Sequence, residues 1–267
     1  MTATKLHSRY VEKIWGRSDV PGAPEGDEPI GELWFEAPDG VPDPLLVKHI
    51  FTSEKLSIQV HPNDEQGRAR GIAGGKEECW YILGAEPDST IGIGTLHPLD
   101  HDQLRASALD GSIEELMDWR PVSPGDFFFL KAGTVHAIGA GISLVEVQQN
   151  VDITYRLYDY GRPRELHLDD GVAVSRAEPY VRPVPHEVLG SEAMLLDEAG
   201  APFTVGLHHL DAGQERTVSG ESLAWFVPLK GRGTIAGQSW KEGECWLLQG
   251  DTAIGAGSAA DYLLATL

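Results

Sequence analysis

A chain of 267 residues with 41% hydrophobic and 8% aromatic content carries enough apolar material for one large or two smaller globular units and is no disordered polymer. Its formal charge of −20 excludes nucleic acid as the main partner, since phosphate backbones are held by cationic surfaces, and any anionic ligand therefore needs a local cluster of Lys and Arg. Two cysteines are too few for a disulfide framework or a Cys-based zinc site, while 31 Gly and 17 Pro imply frequent turns and short strands.

The first segment, MTATKLHSRYVEKIWG, lacks the apolar run of a secretory signal, and nothing downstream reaches membrane-spanning length. A cytoplasmic protein without membrane contact is expected. Short apolar or alternating runs bounded by Gly, Pro and Asp then follow in order: PIGELWFEA, DPLLVKHIF, KLSIQVHP, ECWYILGA and STIGIGTL. Each reads as a strand. DHDQLRASALDGSIEELMDWR (100–120) reads as one or two short helices, with Asp100 a candidate N-cap and Gly111 a break. Strands resume at GDFFFLKAG, GISLVEVQQ and ITYRLYDYG.

From Asp169 to Pro185 the chain turns rich in proline and charge, which marks a linker, and beyond it PFTVGLHHL, LAWFVPLKG, GTIAGQSW and GECWLLQG read as a second β unit. PGDFFFLKAGTVHAIGAG (124–141) is echoed by EGECWLLQGDTAIGAG (242–257), and only the first copy contains a histidine. The expected organisation is a metal-binding catalytic domain at 1–168, a linker at 169–185 and a related unit without a metal at 186–267. The expected fold class is all-β, with a few short helices.

In KLSIQVHPNDE (55–65), alternation sets Ser57, Gln59 and His61 on one face of a strand and Leu56, Ile58 and Val60 on the other. Lys76, Glu78 and Trp80 share a face of a second strand, and His136 follows the glycine turn of AGTVH. Two imidazoles, a carboxylate and an amide oxygen make a mixed N/O donor set that suits Zn²⁺ and also Fe²⁺, Mn²⁺ or Co²⁺. One buried histidine is ordinarily a satisfied core residue; four donors in strand context favour a metal. Cys79 points away from that face and reads as core.

The pattern QVH, then Glu78, then G-x7-G-x2-H from Gly125 to His136 resembles the cupins, with Lys131 standing where their second motif commonly has proline. Within them, LLVKHI, LSIQVHPND, GKEECWYIL, AGTVHAIGAG and TYRLYDYGR resemble the motifs of type I mannose-6-phosphate isomerases, in a short form without a large helical insertion, across about residues 10–165. The resemblance implies two cupin-like β-barrels of the jelly-roll kind and one zinc ion on Gln59, His61, Glu78 and His136. It implies Lys48, Ser57 and Lys76 in the substrate cavity, Arg156 as the catalytic arginine and Glu146 near an acidic active-site position.

The chemistry fits these residue types. An aldose and a ketose interconvert through an enediol, which fixed cations and a Lewis acid stabilise, while a base such as Glu146 or Lys76 must shuttle the proton between C1 and C2. Lys48, with Arg162 or Arg164, supplies charge for a sugar phosphate. Zinc-dependent interconversion of mannose 6-phosphate and fructose 6-phosphate is thus the expected activity. The alternatives are an isomerase of another or unphosphorylated sugar, and a non-catalytic sugar-binding cupin. Bland readings stand beside several of these roles: Arg156 paired with Asp152 or Asp159, Lys48 as a strand-edge charge, Lys76 as a turn lysine, and Glu146 as a group orienting a histidine.

Overall fold

The computed structural model describes residues 2–24, 26, 28–181 and 192–267. Its elements run β1 (Thr2–Lys5), β2 (His7–Arg17), β3 (Ile30–Glu36), β4 (Leu45–Phe51), β5 (Ile58–Val60), α1 (Asp64–Ala69), β6 (Glu78–Ala85), β7 (Thr90–Thr95), α2 (His101–Asp110), α3 (Ile113–Leu116) and β8 (Met117–Pro121). They continue with β9 (Phe127–Leu130), β10 (His136–Ile138), β11 (Ile142–Gln149), β12 (Tyr155–Tyr158), α4 (Leu168–Val174), β13 (Ala193–Leu196), β14 (Thr204–Leu210) and β15 (Glu215–Val218). The last are β16 (Ala224–Lys230), β17 (Arg232–Ile235), β18 (Gln238–Lys241), β19 (Trp246–Gln249), β20 (Thr252–Ala256) and β21 (Ala260–Thr266). The all-β class with a few short helices is what the chain adopts. Among the described residues no helix is long and apolar enough to cross a membrane.

The chain divides into two compact units, one of Tyr10–Leu33 with Lys48–Pro183 and the other of Met1–Arg9, Trp34–Val47 and Val184–Leu267. This differs from the contiguous 1–168 and 186–267 expected from sequence, because two early segments group with late ones. For β1 the cause is plain: it pairs antiparallel with β19, Thr2 opposite Gln249. Where a linker is expected from Asp169, the chain instead enters α4, whose Val172 and Val174 are buried. Residues 182–191, which hold the end of that stretch and the start of the expected second domain, lie outside the described residues.

The unit that begins at Tyr10 is built on two antiparallel sheets, β12-β5-β10-β7-β8 and β2-β3-β4-β11-β6-β9, to the second of which β2, β3 and β4 give the parts inside this unit. Trp80, Ile82, Phe128 and Leu144 from one sheet and Ile91, Ile93 and Ile138 from the other share a single buried cluster, so the sheets face each other as in a jelly roll. The outer face of the five-stranded sheet is covered: Ile58, Val60, Ala137, Tyr155 and Leu157 pack with Leu104 and Ala108 of α2, Ile113 of α3 and Val172 and Val174 of α4. Alternation on β5 and β10 therefore sorts residues between a helix-covered face and an interior face.

Helix α2 forms where expected, with Asp100 and Gln103 closing a reciprocal capping box and Gly111 ending it at φ 85°. Residues 117–120, predicted as the end of the helical stretch, belong to strand β8, because Met117 and Trp119 find ladder partners in Thr95 and Gly92 of β7. Helices α1 and α4 are not foreseen.

The other unit pairs β1-β19-β16-β21-β14-β13 in one sheet and β15-β20-β17-β18 in a second. Phe226, Trp246 and Tyr262 of the first and Ile235, Trp240 and Ile254 of the second share one core. In its echo motif Thr252 begins β20 as His136 begins β10, and its Oγ donates to the Gly250 carbonyl at 2.8 Å.

Alternation on β4 sets His49 opposite Lys48 in facing, and burial lowers its pKa from 6.5 to about 4. The unfolded chain then takes up a proton near pH 6.5 that the native chain refuses until near pH 4, so this stabilising contribution is complete above 6.5 and lost as pH falls through that window. The expected loss is roughly 3 kcal/mol between those limits. Urea midpoints measured from pH 7 to 4 should fall less steeply in His49→Leu than in the parent; equal slopes would exclude His49 as the cause.

Candidate metal centre and active site

Three residues lie in a row across the interior face of the five-stranded sheet. His136 of β10 is opposite Gln59 of β5, and Gln59 is opposite Arg156 of β12. Cross-strand partners project to the same side, so the row needs no special backbone. His61 continues it one alternation beyond Gln59. Immediately after His61 the chain turns into α1, whose N-cap Asn63 exchanges hydrogen bonds with Gln66. The GGK segment is drawn against this turn: Lys76 N donates to the Pro62 carbonyl at 3.0 Å, and a Cβ on Gly75 would stand 2.4 Å from the carbonyl carbon of Asn63. Only glycine permits that approach, which delivers Lys76 and Glu78 beside His61. A second turn delivers His136: Gly133 adopts φ 87° and donates its N–H to the His61 carbonyl at 2.9 Å.

His61, Glu78 and His136 converge. Glu78 Oε2 lies 3.5 Å from His61 Nε2 and Glu78 Oε1 lies 3.5 Å from His136 Nε2, with the three residues 2%, 1% and 1% exposed. The ring centroids are 4.8 Å apart. His136 Nδ1 donates to the Thr134 carbonyl at 2.8 Å, which fixes the tautomer and leaves Nε2 as a bare lone pair toward Glu78. Burial holds both imidazoles neutral, pushing His61 well below the ordinary range with help from the Lys76 ammonium, and lowering His136 against the opposing pull of Glu78. Glu78 Oε1 and His136 Nε2 have no hydrogen-bond partner, a costly arrangement for buried polar atoms that a cation between them would relieve. Two neutral imidazoles and a carboxylate are a donor set for a divalent metal. Gln59, half-buried beside His136, accepts from Ser57 Oγ at 3.5 Å.

Buried charged side chains surround this centre. Lys76 is 5% exposed and pairs with Glu78 Oε2 at 2.8 Å while donating to His61 Nε2 at 3.2 Å. Burial works against its charge, but Glu78 and Glu146 outweigh it and raise its pKa. Burial likewise works against the Glu78 carboxylate, and the Lys76 and His136 side chains overcome it to keep its pKa low. On the opposite sheet Lys48, 5% exposed, contacts Glu146 Oε1 at 3.2 Å, and Trp80 Nε1 donates to Glu146 Oε2 at 3.0 Å. Lys48 and Lys76 are thus buried and paired, which removes the readings of an edge charge and a solvated turn. Two participants are missing from the sequence reading. Gln148 is fully buried and accepts from Lys48; its facing follows from Glu146 by the same period of two. Glu32, 8% exposed and 3.3 Å from Lys13, adds negative charge near Lys76, and no motif marks it.

The arginines divide. Arg156 donates from Nη1 to the Glu165 carbonyl at 2.6 Å, and its Nε is buried without a partner. It pairs with neither Asp152 nor Asp159 among the ion pairs of the described residues. Asp159, 2% exposed, is taken by Arg162 at 2.7 Å and by Arg164 at 2.5 Å. Arg162 also donates to the Lys55 carbonyl at 2.8 Å, so the guanidinium expected to meet substrate is committed to Asp159 and to the segment between β4 and β5.

No protein-family model matches the chain. Its sequence is similar to mannose-6-phosphate isomerase ManA of Bacillus subtilis, 42% identical over an alignment of 158 residues that covers 54% of this chain and 50% of that protein. It is also similar to the mannose-6-phosphate isomerase of Streptococcus mutans, 38% identical over 137 residues, 49% of this chain and 43% of that one. In these alignments the chain spans about half the length of the curated relatives it matches. Its fold matches the crystal structure of a mannose 6-phosphate isomerase from Bacillus subtilis at TM-score 0.82 and 26% identity, covering 100% of both chains. It matches a putative mannosephosphate isomerase from Archaeoglobus fulgidus at TM-score 0.74 and 17% identity, covering 98% of this chain and 96% of that one.

Proposed function

We propose, from a chain related in sequence and fold to the mannose-6-phosphate isomerases of the cupin type, that it interconverts mannose 6-phosphate and fructose 6-phosphate with the aid of one bound divalent metal. The observation that carries this is the buried His61–Glu78–His136 cluster facing the same interior as Lys48, Lys76, Glu146 and Arg156. Gln59, His61, Glu78 and His136 would hold the metal, and Zn²⁺ suits two imidazoles with a carboxylate and an amide oxygen. When bound, the ion supplies Lewis-acid stabilisation of the developing negative oxygens.

The remaining work belongs to side chains. Arg156, fixed through the Glu165 carbonyl, presents a planar donor to the enediol oxygens. Glu146 and Lys76 are the groups placed to serve the proton transfer between C1 and C2, with Glu146 able to take the proton and Lys76, held charged by Glu78 and Glu146, able to donate one. Lys48 meets the negative end of the substrate, and Ser57 lies beside Gln59 on the cavity wall. A charged sugar phosphate does not cross bilayers unaided, so a cytoplasmic enzyme accords with this substrate. The commitment of Arg162 to Asp159 favours one alternative, an unphosphorylated or different sugar, because it withdraws a cation from the expected phosphate pocket.

A coupled assay of purified protein on mannose 6-phosphate, mannose and related sugars, with metal measured in the same sample, decides between them. The expected result is turnover of mannose 6-phosphate with about one metal per chain. Turnover that survives metal removal, or uptake of sugar phosphate without interconversion, would defeat the proposal. Lys48→Ala should raise KM for mannose 6-phosphate about tenfold while leaving the affinity for mannose nearly unchanged. An equal effect on both sugars would remove Lys48 from phosphate recognition.

A further inference from the structure

We propose that Gln148 is a positioning residue for Lys48, through an amide whose orientation is dictated by the backbone. Its consequence for turnover rests on the isomerase reading above; the placement of Lys48 does not. Gln148 is 0% exposed and lies on β11, opposite Glu78 in the ladder and two residues from Glu146. Its Nε2 donates to the carbonyls of Gln149 at 3.0 Å and Val151 at 3.2 Å, so both amide hydrogens are engaged. That leaves Oε1 facing Lys48 Nζ at 2.6 Å. The opposite amide orientation would set an oxygen against two carbonyls and an NH₂ against an ammonium, with acceptors facing acceptors and donors facing donors.

Lysine is a point charge on a flexible four-carbon stem, and holding it in one place requires fixed acceptors. Here they include Gln148 Oε1 and, at 3.2 Å, Glu146 Oε1, itself braced through the same carboxylate by Trp80. The amide adds the property that matters: it anchors the ammonium without adding a second negative charge to that of Glu146. A carboxylate at 148 would anchor Lys48 but leave the pair with excess negative charge toward an anionic substrate, while an apolar isostere would remove one of its anchors.

The test uses metal-loaded protein labelled with ¹⁵N-lysine, in which the Lys48 ammonium signal is assigned by its absence from Lys48→Met. The parent should show this signal protected from exchange; Gln148→Met should lose it and Gln148→Glu should retain it. In kinetics, Gln148→Met should raise KM for mannose 6-phosphate about tenfold with metal content unchanged. In the Lys48→Met background the same substitution should cost less than about twofold, since a residue acting through Lys48 has nothing left to act on. A merely structural role would instead cost the same in both backgrounds. The proposal is overturned if the parent lacks a protected Lys48 signal, if Gln148→Met retains it, or if the two substitutions multiply independently. Should Gln148→Met fail to fold, loss of the signal in Gln148→Glu overturns it equally. A parent that turns over no mannose 6-phosphate defeats the isomerase reading alone, and the signal still decides the placement.

Discussion

His136→Ala is expected to lose bound metal and turnover together, with kcat/KM for mannose 6-phosphate falling by a factor on the order of 10³ or more. The imidazole is held by a main-chain acceptor at Nδ1 and ends in a bare Nε2 in a site 1% exposed, so no water-facing group can substitute for it. Its removal leaves Glu78 Oε1 facing a small void beside Trp80, whose ring centroid lies 5.5 Å from that of His136. Folding should survive, since the ring contributes little to the apolar cluster between the sheets. Metal analysis, circular dichroism and the coupled assay on one preparation separate the outcomes. If metal stays at about one per chain while the rate collapses, His136 is not a ligand; if metal is lost while the rate persists, the chemistry does not depend on the ion.

The interior site is legible in sequence wherever alternation alone decides facing. Gln59 against Ile58 and Val60, and Glu78 and Trp80 against Cys79, fall on the sides that a period of two predicts, whereas Leu56, expected with Ile58 and Val60, precedes β5 and packs in the interior cluster instead. What escapes the sequence is set by partners far away along the chain. Residues 1–9 and 34–47 group with the segment that ends at Leu267, and for β1 the reason is its ladder with β19. Met117–Pro121 becomes a strand although its composition suits a helix, since β7 offers an open edge. Arg162 reads as a free cation until Asp159 is seen buried between it and Arg164. Gln148 has no motif of its own, and its importance appears only when the Lys48 ammonium arrives from a strand 100 residues earlier.

Glu78→Gln should damage the protein twice, and the two effects are separable. In the parent the carboxylate and the Lys76 ammonium are 1% and 6% exposed at 2.8 Å, and each overcomes the other's burial penalty. Neutralising one partner leaves a buried ammonium near two neutral imidazoles, with Glu146 as its nearest remaining compensation. Breaking a buried pair in this way costs about 3–5 kcal/mol, whereas removing both charges is often nearly neutral. In chelator-treated protein, urea unfolding should therefore show a large loss for Glu78→Gln and substantial recovery in the double variant Lys76→Met with Glu78→Gln. Metal binding should not recover, because the carboxylate ligand is absent from both. A double variant as unstable as the single one would show that Glu78 stabilises the fold independently of Lys76. Recovery of metal in the double variant would show that the charge pair, not the carboxylate as ligand, governs the centre. The arrangement thus couples fold to site: the ammonium that makes a buried carboxylate tolerable also keeps it ionised, as a metal ligand must be.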